Sequence, residues 1–167
     1  MENIATTVQT GVPSVRSKVK EVCHNAEHSK DISYLLDCAT QLGEYLFYIQ
    51  EQESGMNALV TDARLLINQA KESIKTSEFE TAIFLNSPQG GSLAMNKAEK
   101  MAYLQSRDLR EELVVCQEAY AEVEKDYKDV KGFKTAVQEY LMTIRQKVKN
   151  LQIEAGVYPH RTDGQID

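Results

Sequence analysis

The feature that most constrains this chain is a pair of long stretches, about Asp31 to Phe79 and about Ser106 to Glu154, nearly free of helix breakers. Proline removes a backbone donor and glycine loosens the backbone, so both punctuate helices. The three prolines stand elsewhere, at Pro13, Pro88 and Pro159. Only Gly43 and Gly55 interrupt the first stretch, and only Gly132 the second. In the first, Ile32, Leu35, Ala39, Leu42, Leu46, Ile49, Met56, Val60, Ala63, Ile67, Ala70 and Ile74 recur at alternating steps of three and four, broken at Glu53. In the second, Leu109, Leu113, Cys116, Tyr120, Val123, Tyr127, Val130, Val137, Leu141, Ile144, Val148 and Leu151 do the same, broken at Lys134. Such steps keep residues on one side of a helix, and sustained over several heptads they predict a coiled-coil seam. A helix of the first length runs to roughly 70 Å, too long for a compact domain of this size to enclose.

The seams match in length, and Asn86-Ser87-Pro88-Gln89-Gly90-Gly91-Ser92 between them is turn-like. The expected fold is all-α: a long antiparallel helical hairpin, coiled-coil-like and oligomeric. Pro13 and Ser14 suggest the start of a short N-terminal helix to about Asn25, with Met1 to Val12 flexible or partner-dependent. Phe79 to Ser92, including the apolar run Ala82 to Leu85, is expected as the connection, followed by a short helix from about Leu93 to Leu104. Ser29 to Asp31 and Ser106 to Asp108 resemble helix starts, and Gly156 with Pro159 a stop. These boundaries divide the chain into an N-terminal segment over residues 1–30, a hairpin over 31–155 and a flexible tail over 156–167.

Packing one seam on the other leaves Tyr34, Tyr45, Phe47, Tyr48, Leu65, Leu66, Phe133, Tyr140 and Ile153 beside it. That is more apolar surface than a lone hairpin keeps in water, so a homo-oligomer is expected. Leu42, Leu46, Ile49, Met56, Tyr120, Tyr127, Leu141, Ile144 and Val148 are the candidate oligomerisation residues.

Residue chemistry argues against an enzyme. No phosphate-binding loop or nucleophile elbow is present. Acid pairs such as Glu51 with Glu53 and Glu111 with Glu112 suit solvated helix faces. His24, His28 and His160 do not join the cysteines in a tetrahedral ligand pattern. His24 and His28 stand four apart and are taken as a solvated pair, so no metal, cofactor or small-molecule substrate is expected. Cys23, Cys38 and Cys116, odd in number and widely spaced, suit free thiols in a reducing cytoplasm. No apolar run is long enough for a membrane helix, and the start Met1-Glu2-Asn3-Ile4 does not resemble a signal peptide.

Charge is more informative. The net charge of -6 excludes a bulk-basic nucleic-acid binder. Its distribution is uneven. Residues 31–78 hold eight acids and three bases, whereas residues 131–149 hold Lys131, Lys134, Arg145, Lys147 and Lys149 against Glu139. Arg16, Lys18 and Lys20 form a second cluster. A basic strip containing Tyr140 could follow a phosphate backbone and stack a base. Equally, bases near a helix C-terminus complement its dipole. In a ring of subunits, repeated weak sites add through avidity.

Three segments resemble the UvsY-like recombination mediators of bacteriophages. They are Tyr45-Leu46-Phe47-Tyr48-Ile49-Gln50-Glu51-Gln52-Glu53, Asp62-Ala63-Arg64-Leu65-Leu66, and the break Tyr103-Leu104-Gln105-Ser106-Arg107-Asp108 before the helix with Tyr120 and Tyr127. The resemblance covers roughly residues 31–151. It implies a small helical oligomer that binds single-stranded DNA, loosens single-strand-binding protein and helps load a RecA-like recombinase. It also implies that Arg64 contacts phosphate, with Lys71 and Lys75 nearby. The chain departs from the family's Lys-Ala-Arg-Leu at Asp62, which shifts the expected site towards the C-terminal strip or the N-terminal basic cluster. The same seams also suit a phage structural or assembly protein, or an acidic coiled coil that docks on a host protein.

Overall fold

The computed structural model describes residues 2–156, with side chains from Ser14 onward. Four helices account for nearly all of them: α1 (Glu2–His28), α2 (Ile32–Asn86), α3 (Met95–Gln105) and α4 (Arg107–Glu154). No strand occurs among the described residues, so the all-α expectation holds. None of these helices is long and apolar enough to cross a membrane.

The helix ends follow local chemistry. The Asp31 carboxylate accepts from the backbone N–H groups of Ser33 and Tyr34 at 2.9 and 3.3 Å, capping α2 where the sequence suggested. Gly156, at φ +71°, ends the last turn after α4, its N–H donating to Ile153. Two boundaries differ from expectation. The helix at the N-terminus runs from Glu2 through Pro13 rather than starting at Ser14, although an interior proline costs one backbone hydrogen bond. The tract Phe79 to Leu85 is helix rather than connection, since α2 runs on to Asn86. Only Ala82 and Leu85 of this tract pack inward, against α3, while Phe79, Ile83 and Phe84 face solvent; the true breakers are Pro88, Gly90 and Gly91. The expected tail from residue 157, with Pro159 and His160, lies outside the described residues.

The connecting turn is tightly specified. Ser87 accepts backbone bonds from Gly90 and Ser92 at 3.1 and 2.9 Å, and the Asn86 side chain donates to the Leu93 carbonyl at 2.8 Å. A Cβ at Gly90 would stand 1.9 Å from the Phe84 carbonyl oxygen, so only glycine fits. Gly91 has φ +101°, a left-handed conformation that glycine adopts without penalty.

The chain forms two compact units, Met1–Ser54 with Lys128–Asp167, and Gly55–Tyr127. In the first, α1, the start of α2 and the end of α4 share one core. Val19, Val22 and Ala26 meet Leu35, Cys38, Leu42 and Ile49, and Val130, Val137, Leu141, Ile144 and Val148. Val19, Val22 and Ala26 of α1 thus share a core with the ends of α2 and α4. Arg16 meets Asp129, and Lys147 meets the carbonyls of Ala26 and Glu27. Partner numbers rise together, so α1 and α4 run the same way in this unit.

The second unit has a thinner interior. Met56, Val60 and Ile74 are buried on α2, but Leu109, Leu113, Cys116, Tyr120, Val123 and Tyr127 of α4 are only half-buried. Against the end of α2, α3 packs through small residues: Ala98 and Ala102 close on Ala82, with Leu85 and Leu93 beside them. Here α2 and α4 run in opposite directions, for Arg64 meets Tyr120 and Glu78 meets Arg110.

Five of the candidate oligomerisation residues, Leu42, Ile49, Leu141, Ile144 and Val148, lie buried in the chain's own core, and Leu46 packs against it. Met56 is also buried, and Tyr120 and Tyr127 are half-buried. Burial within one chain removes the enclosed ones from the surface, whereas Tyr120 and Tyr127 stay partly accessible.

Candidate nucleic-acid interface

Helix geometry divides the expected basic strip. Lys131, Gln138 and Arg145 recur every seventh residue of α4, and Lys149 follows four later, so they share one stripe. All four are exposed, as is Met142 beside them. The stripe spans about 27 Å, enough for several phosphates. Tyr140 and Lys147 point elsewhere. With Lys20, Cys23, His24, Phe133 and Thr143, they line a groove of about 580 Å³ between α1 and α4. Tyr140 is half-exposed there, its ring open to stacking.

Several candidate phosphate contacts already have partners within the chain. Lys134 pairs with Glu53, joining the two residues that break the seams. Both side chains are largely shielded, at 23% and 15% exposure. Arg16 lies 2.5 Å from an Asp129 carboxylate oxygen and stacks over Phe133, 4.8 Å from the ring centroid. The Lys147 amino group donates to the carbonyls of Ala26 and Glu27 at 3.0 and 2.7 Å. It thereby satisfies acceptors that the end of α1 leaves unpaired.

The N-terminal cluster is also divided. Lys20 faces the groove between α1 and α4, whereas Lys18 lines one between α1 and α2 with Glu21, Tyr34 and Tyr45. Both lysines are exposed. Nearby, burial pushes the Cys23 thiol above its ordinary value, and the neighbouring Cys38 adds to this. Cys23, Cys38 and Cys116 are all free.

In the second unit, Arg64 donates to the Tyr120 hydroxyl at 2.9 Å, and that hydroxyl donates to Glu124 at 2.9 Å. Its guanidinium also stacks on the Tyr120 ring at 5.5 Å. The Tyr120 hydroxyl, and more weakly Glu124, hold Arg64 charged, raising it above its ordinary value. Lys75 bridges to Glu72 at 2.8 Å, and Lys71 is exposed. These residues sit among α2's many acids, so the patch around Arg64 offers phosphate less net attraction than the stripe on α4.

The structure thus brings Lys131, Arg145 and Lys149 together on one face and Lys20, Tyr140 and Lys147 around one groove. Periodicity alone missed the Glu53–Lys134 pairing, although both residues were visible as breaks of opposite charge. Comparison with family models, curated proteins and solved structures gave no match.

Proposed function

We propose that this chain is a non-catalytic recombination mediator. In this reading it binds single-stranded DNA and helps load a RecA-like recombinase in competition with single-strand-binding protein. One observation carries the reading: Lys131, Arg145 and Lys149 share an exposed stripe of α4 with no α4 acid among them. A cationic stripe beside an aromatic groove suits a flexible polyanion whose bases are free to stack. Acidic overall charge is compatible with it, because avidity in a homo-oligomer multiplies a weak local site. We take the assembled form to be built on α2 and α4 packed as an antiparallel hairpin, acting in a bacterial cytoplasm during phage infection.

The test is single-stranded DNA binding across a salt series. Each phosphate contact contributes about 0.7 to the slope of log affinity against log salt on single strands. Changing Lys131, Arg145 and Lys149 together to Ala is expected to lower that slope by about 2 and to abolish loading of recombinase onto coated DNA. Absence of binding by the unaltered chain at low salt would sink the proposal.

The exposed apolar residues of the second unit favour a second reading, a helical assembly protein. Leu65, Leu66, Phe79, Ile83 and Phe84 on α2, with Val114 and Val115 on α4, are open to solvent. Under that reading the mass in solution stays the same with and without DNA, and the triple variant retains function.

A further inference from the structure

The last turns of α1 hold three side chains to which the DNA-binding reading assigns no contact: His24 and Glu27, at the edge of the groove between α1 and α4, and His28. Residues three and four apart are neighbours on a helix, so these share one face. One donor atom from each lies within 4.8 Å of the other two, and all three residues are exposed. The two imidazole rings stand edge to face, with centroids 5.2 Å apart. Sequence alone suggested a solvated histidine pair; the helix places the Glu27 carboxylate within reach of both rings.

We propose that His24, Glu27 and His28 form a binding site for a divalent transition-metal ion of the zinc class. Two imidazoles and one carboxylate suit that class, whereas magnesium and calcium prefer all-oxygen sites. Around tetrahedral zinc, with bonds of about 2.0–2.2 Å, donor atoms stand about 3.3 Å apart. Exposed side chains reach that spacing by torsion alone, with no movement of the helix backbone. Position adds to the case, because the C-terminal end of a helix carries partial negative charge and favours a cation. Lys147 lies close but engages the backbone oxygens of Ala26 and Glu27, not the Glu27 carboxylate. Three protein donors leave one position open for water or a donor from another molecule. The site stands independently of the DNA-binding reading.

The experiment is calorimetric titration of the full chain, stripped of metal with a chelator, using zinc chloride alone. One equivalent is expected to bind. His24→Ala and His28→Ala are each expected to weaken binding by more than about tenfold, and Glu27→Gln by less. All three positions are exposed, so circular dichroism should show unchanged helicity in each variant. Cobalt substitution identifies the donors: nitrogen and oxygen ligation gives no thiolate-to-metal charge-transfer band. Three results would each overturn the proposal. They are no zinc uptake by the unaltered chain, undiminished uptake by His28→Ala, or a thiolate band assigning the metal to cysteine.

Discussion

The two compact units carry the same heptad pattern but bury it to different depths. In the first, seam residues of α4 such as Val137, Leu141, Ile144 and Val148 are buried, and Leu35, Leu42 and Ile49 of α2 are nearly or fully enclosed. In the second, every α4 seam residue from Leu109 to Tyr127 stays half-open. The difference is the third helix. Two helices in contact cover each other along a narrow stripe and leave its flanks wet. Through Val19, Val22 and Ala26, α1 closes one flank in the first unit. The counterpart in the second unit, α3, has only 11 residues and offers Ala98 and Ala102. Small side chains permit close approach but bury little area.

Polar contacts occupy part of the second unit instead. The buried Ser106 hydroxyl donates to Glu78 at 2.6 Å and accepts from the Arg110 guanidinium at 3.2 Å. Arg110 in turn pairs with Glu78 at 2.5 Å and stacks on Tyr103, 3.9 Å from its ring centroid. Ser106 was expected to cap α4; its side chain turns across to α2. The same heptad signal can therefore end in a sealed core or an open seam, depending on what lies over it.

The strongest test of this contrast is core truncation. Leu42→Ala is expected to cost about 2–5 kcal/mol, whereas Leu113→Ala, at a half-open seam position, should cost about 1 kcal/mol. Urea denaturation measures both, and equal losses would erase the contrast. Gly90→Ala should come next, at about 2–3 kcal/mol, because its Cβ meets Phe84 backbone that cannot yield. That loss should concentrate in the second unit, seen as faster amide exchange at the end of α2 and in α3.

The seam pair sharpens the first unit. Lys134→Ala leaves a shielded Glu53 carboxylate without its partner and should cost about 1–3 kcal/mol. Replacing both residues by leucine should recover most of that loss, since apolar packing often matches a shielded ion pair. A double substitution as harmful as the single one would show that the pair contributes more than filling the seam.

The smallest expected effect concerns pH. The Ser106 hydroxyl, and then Arg110, hold the Glu78 carboxyl below the usual carboxylate range against the opposing effect of partial burial. A depressed carboxyl stabilises the fold above its unfolded value of about 4.3, and that contribution disappears as pH falls through the folded value. Glu78→Gln should therefore flatten the stability profile below about pH 4.3 while leaving its shape near neutrality unchanged. A profile identical to that of the unaltered chain would remove Glu78 from the account.

Much of the architecture was legible in the residues. The phase of Leu35, Leu42 and Ile49 and of Val137, Ile144 and Val148 marked the side that each helix buries. Asp31 marked one cap, and Gly156 one stop. The end of α2 was misplaced because Ala82 to Leu85 is too short an apolar run to assign to helix or connection by period alone. The start of α1 was misplaced because Pro13 suits a first turn better than an interior. The candidate site was less legible. Lys131, Arg145 and Lys149 are at the surface, but nothing local showed that Lys134 answers Glu53, that Arg16 answers Asp129, or that Lys147 closes the end of α1.

The sequence by itself determined that the chain is helical, where its central turn falls, and which residues share a face. Those properties depend on spacings of a few residues and on the backbone chemistry of proline and glycine. Only the tertiary structure decided which part of the seam is sealed and which cations remain at the surface. Burial needs a covering element, and a charge's availability depends on its partner; here the partners lie up to 121 residues away in the chain.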